Sequence, residues 1–343
     1  MIYNLCPESI APIILAIGML VAFLLTLFLT KGLSKFLPRD GGRAFAVDGE
    51  KSAGKPRGAG IIFILVYGIV AALFTPMKLE YGFYIILVVA SMLTGFLDDA
   101  SKSPWGEYLK GALDLGIAIL VTLVFMYNHA TYVTLALFGI TFHMHPILFA
   151  VLSIVLIWTS VNVTNCSDGV DGLSGSVGIA TLIGIYGVMT VGTYISKAPG
   201  NWNAIMQLGN GSAAFSPQIL ILVLCLVAYL WFNATPSSLM MGDAGSRALG
   251  LFIAIAILQT GSPILFIPLA FVFIMDGGLG LLKVSLIRFF KIHIMKNIRT
   301  PLHDQVRKVW GWSNTQCVYR FTIIQAIISI IVVYLVNIVW KGF

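Results

Sequence analysis

Long apolar runs alternate with short polar stretches from one end of the chain to the other. The runs lie near residues 11–30, 59–75, 82–97, 111–127, 146–163, 174–195, 217–234, 248–261, 264–285 and 321–340. A bilayer core takes about 20 apolar residues in helical form. The pattern therefore predicts an all-α polytopic integral membrane protein of about ten transmembrane helices, in a single transmembrane helical domain over 1–343. No internal repeat stands out. Residues 131–145 (TYVTLALFGITFHMH) alternate weakly and predict a small hairpin. Residues 197–217, rich in Gly, Asn and Ser, read as a loop. The first run is too long for the apolar stretch of a signal peptide and lacks a basic segment ahead of it, so it reads as a retained helix.

Counting the runs sorts the polar stretches onto two sides. Segments 32–58, 98–110, 164–173, 235–247 and 286–320 fall on one side, and both termini on the other. All but three of the 21 Lys and Arg fall on the first side, the exceptions being Lys78, Lys197 and Lys341. By the positive-inside rule that side is cytoplasmic and the termini are outside. Composition agrees with the membrane reading, with 58% of residues apolar and 10% charged. The net charge of +7 then reports orientation and attraction to anionic lipid or substrate, with no nucleic acid partner implied. Cys6, Cys166, Cys225 and Cys317 share no metal or redox spacing. Cys166 reads as a small neutral residue in a tight loop, because no nearby histidine could activate it.

The inside segments also gather the carboxylates. Asp98 and Asp99 end the third run and precede Lys102 and Lys110. Adjacent carboxylates do not both ionise cheaply unless a cation or lysine offsets them, so one of the pair suits Mg2+ binding or base chemistry; a solvated helix end is the plain alternative. The stretch 162–172 (NVTNCSDGVDG) supplies Asn162, Asn165, Ser167, Asp168 and Asp171, with Gly169 and Gly172 admitting close backbone approach. One of these residues suffices to cap the next helix, so the excess points to a ligand. In 241–246 (MGDAGS) Asp243 stands between small residues at a helix start, a shape suited to a metal-bound diphosphate or to an ordinary cap. Hard oxygen ligands facing a nucleotide-rich compartment together suggest Mg2+-dependent phosphoryl transfer. His303, in 301–305 (PLHDQ), is the histidine nearest these loops, although lone histidines are mostly structural. His293 belongs to a basic stretch that reads as a surface-lying amphipathic piece. Asp114 and Asp276 fall within runs. Asp114 is about one turn from Lys110 and able to pair with it, and Asp276 reads as a helix tether.

The combination FxDD…K, NxxNxxDGxDGL, MGDxGSxxLG and PxH resembles the polyprenyl-phosphate N-acetylhexosamine-1-phosphate transferases, in particular their phospho-N-acetylmuramoyl-pentapeptide transferase branch. The likeness runs nearly end to end, through LPRDGGR (37–43), KPRGAG (55–60), WFNATPSSLMMGDAGSRALG (231–250) and GWSNTQCVYRFTII (311–324). It implies ten helices, Mg2+, a homodimer, and transfer of phospho-MurNAc-pentapeptide from UDP-MurNAc-pentapeptide to undecaprenyl phosphate, giving lipid I and UMP at the cytoplasmic face of the lipid bilayer. By resemblance Asp243 binds the metal, and Asp98, Asp99, Asp168 and His303 serve chemistry. Lys102, Lys110, Asn165, Gly169, Asp171 and Met240 fall at substrate-binding positions. Two departures stand out. The family's three successive histidines are His303, Asp304 and Gln305 here, and Met240 replaces an aromatic residue often found before MGD. A sister enzyme that uses UDP-GlcNAc is the near alternative. An ion-coupled transporter working through Asp114 and Asp276 is the remote one.

Overall fold

The computed structural model describes residues 2–42, 49–101, 103, 105–196, 212–295 and 297–341. Its main helices are α1 (Ala11–Leu33), α2 (Gly60–Phe74), α3 (Leu79–Ala100), α4 (Glu107–Asn128), α5 (Pro146–Cys166), α6 (Leu173–Ser196), α7 (Ser212–Asn233) and α8 (Gly242–Gln259). A bent pair follows, α9 (Pro263–Leu269) and α10 (Phe271–Phe290), and then α11 (Leu302–Lys308) and α12 (Asn314–Lys341). Each of the ten apolar runs falls on one of these helices or on the bent pair. Among the described residues, seven helices are individually long and apolar enough to cross a membrane, and the bent pair makes an eighth. Large apolar side chains such as Phe28, Ile69, Trp231 and Ile330 are exposed on the bundle's flanks. The protein is a polytopic all-α membrane protein.

Helix α8 forms the centre. Every residue from Gly242 to Gln259 is buried, as expected of a helix apolar all round beyond its first turns. It packs against α3, α5 and α2. Small residues allow the backbones to touch: a Cβ on Gly60 would strike the backbone of Gly245, and one on Gly95 the backbone of Asp243. At one end of the bundle Glu80 gathers Tyr84, His129 and Gln259. There also lies the expected hairpin, β1 (Tyr132–Leu135) paired antiparallel with β2 (Ile140–His143). It is tied to the end of α8 by Thr134 N–H donating to the Gly261 carbonyl.

The break between α9 and α10 turns the chain by 72° at Ala270. A kink inside apolar surroundings frees backbone groups that must find partners. Gln325 of α12 supplies them: its Nε2 donates to the carbonyls of Pro268 and Leu269, and its Oε1 accepts from Val272 N–H. One turn later a π-helical stretch, Ile274–Gly278, carries Asp276. The loop expected over 197–217 is shorter at its end, because Ser212 to Pro217 already belong to α7. Residues 197–211 lie outside the described residues. Asn162 and Asn165 belong to the last turn of α5, not to a loop.

Candidate active site

At the end of the bundle opposite the hairpin, four segments meet around a knot of charges. The last turn of α3 contributes Asp98 and Asp99, α4 contributes Lys110, the first turn of α8 contributes Asp243, and the 55–60 turn contributes Arg57. Lys110 Nζ lies 2.5 Å from Asp98 Oδ2 and 3.4 Å from Asp243 Oδ2. Arg57 Nε lies 2.8 Å from Asp99 Oδ1, its Nη2 3.2 Å from Asp243 Oδ1, and its Nη1 3.7 Å from Asp40 Oδ1. Two backbone donors steady the carboxylates: Trp105 N–H donates to Asp98, and Ala244 N–H to Asp99.

Local backbone geometry explains why these segments converge. Met240 N–H donates to the Pro56 carbonyl, Ala59 N–H to Met240 and Gly60 N–H to Met241, which sews the 55–60 turn to the entry of α8. Arg57 N–H donates to Pro38, so the guanidinium is carried on a bridged backbone rather than a free loop. Gly242 has φ of 72°, and a Cβ there would strike Asp99 Oδ2. A side chain at 242 would thus be strained and would displace the carboxylate.

Beside the knot opens a cavity of about 650 Å3. Asn165, Asp168, Gly169, Asp171, Met240 and His303 all line it, joined by Lys55, Asp304 and Arg307. Asn165 links the two zones by donating to Ser246 Oγ in the second turn of α8. Lys55 Nζ stands 3.5 Å from Asp171 Oδ2 and donates to Ser237 Oγ. Asp276 grips His303 from behind, accepting from its backbone N–H at 2.7 Å and from Nδ1 at 2.9 Å. An ionised carboxylate only accepts, so Nδ1 donates to Asp276, which leaves Nε2 on the other side of the ring, 3.7 Å from Asp304 Oδ1. A Cβ on Gly169 would strike Nε2, so glycine there admits the ring. Asp304 pairs with Arg307 Nη2 at 2.8 Å, while Gln305 turns away to accept from Arg299 N–H.

The expected residues thus assemble in two adjoining groups: Asp98, Asp99, Lys110 and Asp243 in the knot, and Asn165, Asp168, Gly169, Asp171, Met240 and His303 around the cavity. Lys102 lies outside the described residues. Asp114 does not pair with Lys110. It meets the Arg247 guanidinium, which reaches across from α8. Arg57 and Asp276 were not among the expected site residues. Arg57 was visible only as a cation in a Gly-rich turn, and Asp276 only as an intramembrane carboxylate. Burial lowers the Arg57 pKa, but Asp99, Asp243, Asp40 and Asp168 more than offset this and raise it above its ordinary value.

The carboxylate donors of the knot fit a magnesium ion. Among the described residues, Asp40, Asp98, Asp99 and Asp243 form ion pairs with Arg57 and Lys110, four carboxylates to two cations. Asp99 Oδ1 is buried and accepts no hydrogen bond, its approach to Arg57 being ionic contact without hydrogen-bond geometry. Among the described residues no three potential ligands converge closely enough to hold an ion alone. Mg2+ commonly binds through one or two carboxylates, with waters and phosphate oxygens completing its shell.

Comparison with known proteins narrows the chemistry. The family model described as glycosyl transferase family 4 matches residues 81–261. A phospho-N-acetylmuramoyl-pentapeptide-transferase of Treponema pallidum is 38% identical over 325 residues, covering 93% of this chain and 88% of the relative. The chain belongs to glycosyl transferase family 4. Other relatives of the same name come from Campylobacter jejuni, 29% identical over 78% of this chain and 77% of theirs, and Thermotoga neapolitana, 28% identical over 90% and 92%. This member of the family is a phospho-sugar transferase embedded in a membrane, and the matched region contains Asp98, Asp99, Lys110, Asp168 and Asp243.

Proposed function

We propose that the protein transfers phospho-MurNAc-pentapeptide from UDP-MurNAc-pentapeptide to undecaprenyl phosphate, giving lipid I and UMP in peptidoglycan synthesis. The site faces the cytoplasm of a bacterial cell, Mg2+ is required, ten helices form one domain, and a homodimer is expected from the family resemblance. The carrying observation is the knot, in which four carboxylates pair with two cations among the described residues, set beside a polar cavity at the end of an apolar bundle. One substrate is confined to the bilayer and the other to water, so their reaction belongs at such a boundary.

In this reading an oxygen of the lipid phosphate attacks the β-phosphorus of the nucleotide. The bond from that phosphorus to the bridging oxygen breaks, and UMP leaves. Asp243, with Asp98 and Asp99 alongside, would hold the ion, which when bound offsets the charge of the diphosphate. Asp98, by resemblance, would take a proton from the lipid phosphate. Lys110, with Lys102 assigned by resemblance alone, neutralises phosphate charge. Asn165, Asp168, Gly169, Asp171 and Met240 shape the cavity for the nucleotide sugar, and Asp276 holds His303 so that Nε2 faces it. The transporter reading loses its relay carboxylates, since Asp114 is closed by Arg247 and Asp276 by His303.

The test is UMP release by purified protein in lipid with undecaprenyl phosphate and Mg2+, offering UDP-MurNAc-pentapeptide and UDP-GlcNAc separately. Release from the pentapeptide donor alone, lost in Asp243→Ala, is the expected result. Release from UDP-GlcNAc alone would move the protein to the sister reaction, and no release from either would end the transferase reading of this site.

A further inference from the structure

Arg57 stands where a divalent ion has most to gain. Its guanidinium lies within 3.2 Å of carboxylate oxygens of both Asp99 and Asp243, the side chain of Asp99 being fully buried. Asp40 adds a third carboxylate at 3.7 Å, and the negative charge of Asp168 acts on it as well. The backbone beneath it is bridged to Pro38 and to the entry of α8, so it cannot leave with a swinging loop. Its Nε lies 2.8 Å from Asp99 Oδ1 without hydrogen-bond geometry, so that contact is ionic.

We propose that Arg57 is the site's resident counter-cation: it competes with the divalent ion for Asp99 and Asp243, and is drawn to the donor's diphosphate when the ion takes those carboxylates. The inference rests on the reading of this knot as the metal and diphosphate site. Two cations cannot share one carboxylate pair without mutual repulsion, so each weakens the other's hold. A diphosphate offers the guanidinium a bidentate partner of equal or greater charge. Metal and nucleotide then favour one another through Arg57, because each ligand relieves the competition that the other faces.

The experiment measures Mn2+ binding by electron paramagnetic resonance and UDP binding by calorimetry, each on the ligand-free protein in detergent, for wild type and Arg57→Met. The expected result is opposite signs: Mn2+ binds about tenfold more tightly to the variant and UDP about tenfold more weakly. Arg57→Lys keeps a cation on the same backbone and should show a smaller Mn2+ shift in the same direction. Arg57→Gln carries the Mn2+ test if the Met variant does not purify. Mn2+ affinity that is unchanged or weakened in the charge-removing variant would overturn the proposal, and weakening of both ligands would show a merely structural role. Failure to release UMP from any donor would sink the proposed function but leave the Mn2+ comparison intact.

Discussion

Helices α4 and α8 are joined twice, one turn apart, by ion pairs of opposite polarity. In the first turn Lys110 of α4 meets Asp243 of α8; in the next, Asp114 of α4 meets Arg247 of α8. The second pair is nearly sealed from solvent and balanced one to one. The Arg247 guanidinium also reaches the Lys110 carbonyl, while its Nε and Nη1 find no acceptor among the described residues. The first pair opens into the knot, where among the described residues four carboxylates pair with two cations and two buried oxygens, Asp40 Oδ2 and Asp99 Oδ1, accept no hydrogen bond. Similar groups on the same two helices thus end as a clamp in one layer and a candidate reaction site in the next. Charge balance and access, not residue type, separate them.

Mutations should separate them too. The largest effect is expected at Asp243. Asp243→Ala should reduce UMP release at least about 1000-fold, several kcal/mol of transition-state stabilisation, with little change in thermal unfolding. A normal rate in that variant would erase the contrast. Next comes the sealed layer: Asp114→Leu strands a buried guanidinium and should cost about 3 kcal/mol of stability by denaturant unfolding in detergent. Adding Arg247→Leu should recover most of that loss. The corresponding double change in the open layer, Lys110→Leu with Asp243→Leu, should leave the fold standing and the activity absent. Asp276→Asn takes away the carboxylate charge and one of the two acceptor oxygens that hold His303, and a loss of about 10- to 100-fold in kcat is expected, with KM nearly constant. The smallest effect belongs to the cavity rim. Breaking the Lys55–Asp171 pair with Lys55→Ala should change stability by under about 1 kcal/mol, since the pair is partly exposed.

Much of the fold was legible because its signals are local. Apolar runs mark the helices, weak alternation marks the hairpin at 132–143, and charge asymmetry groups the acidic loops. What stayed hidden depends on crossings between distant segments. Asp114 looks paired to Lys110 by helical spacing, whereas Arg247 lies 133 residues away in sequence. Arg57 has no chemistry of its own in KPRGAG, and only the ladder between residues 56–60 and 240–241 brings it to Asp99. Asp276 became interpretable when the bend at Ala270 and the π-helical stretch turned it towards His303. The bend itself has no local marker as clear as its remedy, a single glutamine on another helix.

The glycines at 60, 95 and 245 set the mechanical character of the site. Where Gly60 meets Gly245 and Gly95 meets Asp243, backbone lies against backbone with no side chain between, so the spacing of Asp99 and Asp243 inherits the rigidity of the peptide chain. Heat or pressure that loosens the side-chain packing of the bundle should reach this corner last. A reaction centre at the edge of a fluid bilayer would thereby keep fixed dimensions while the lipid around it does not.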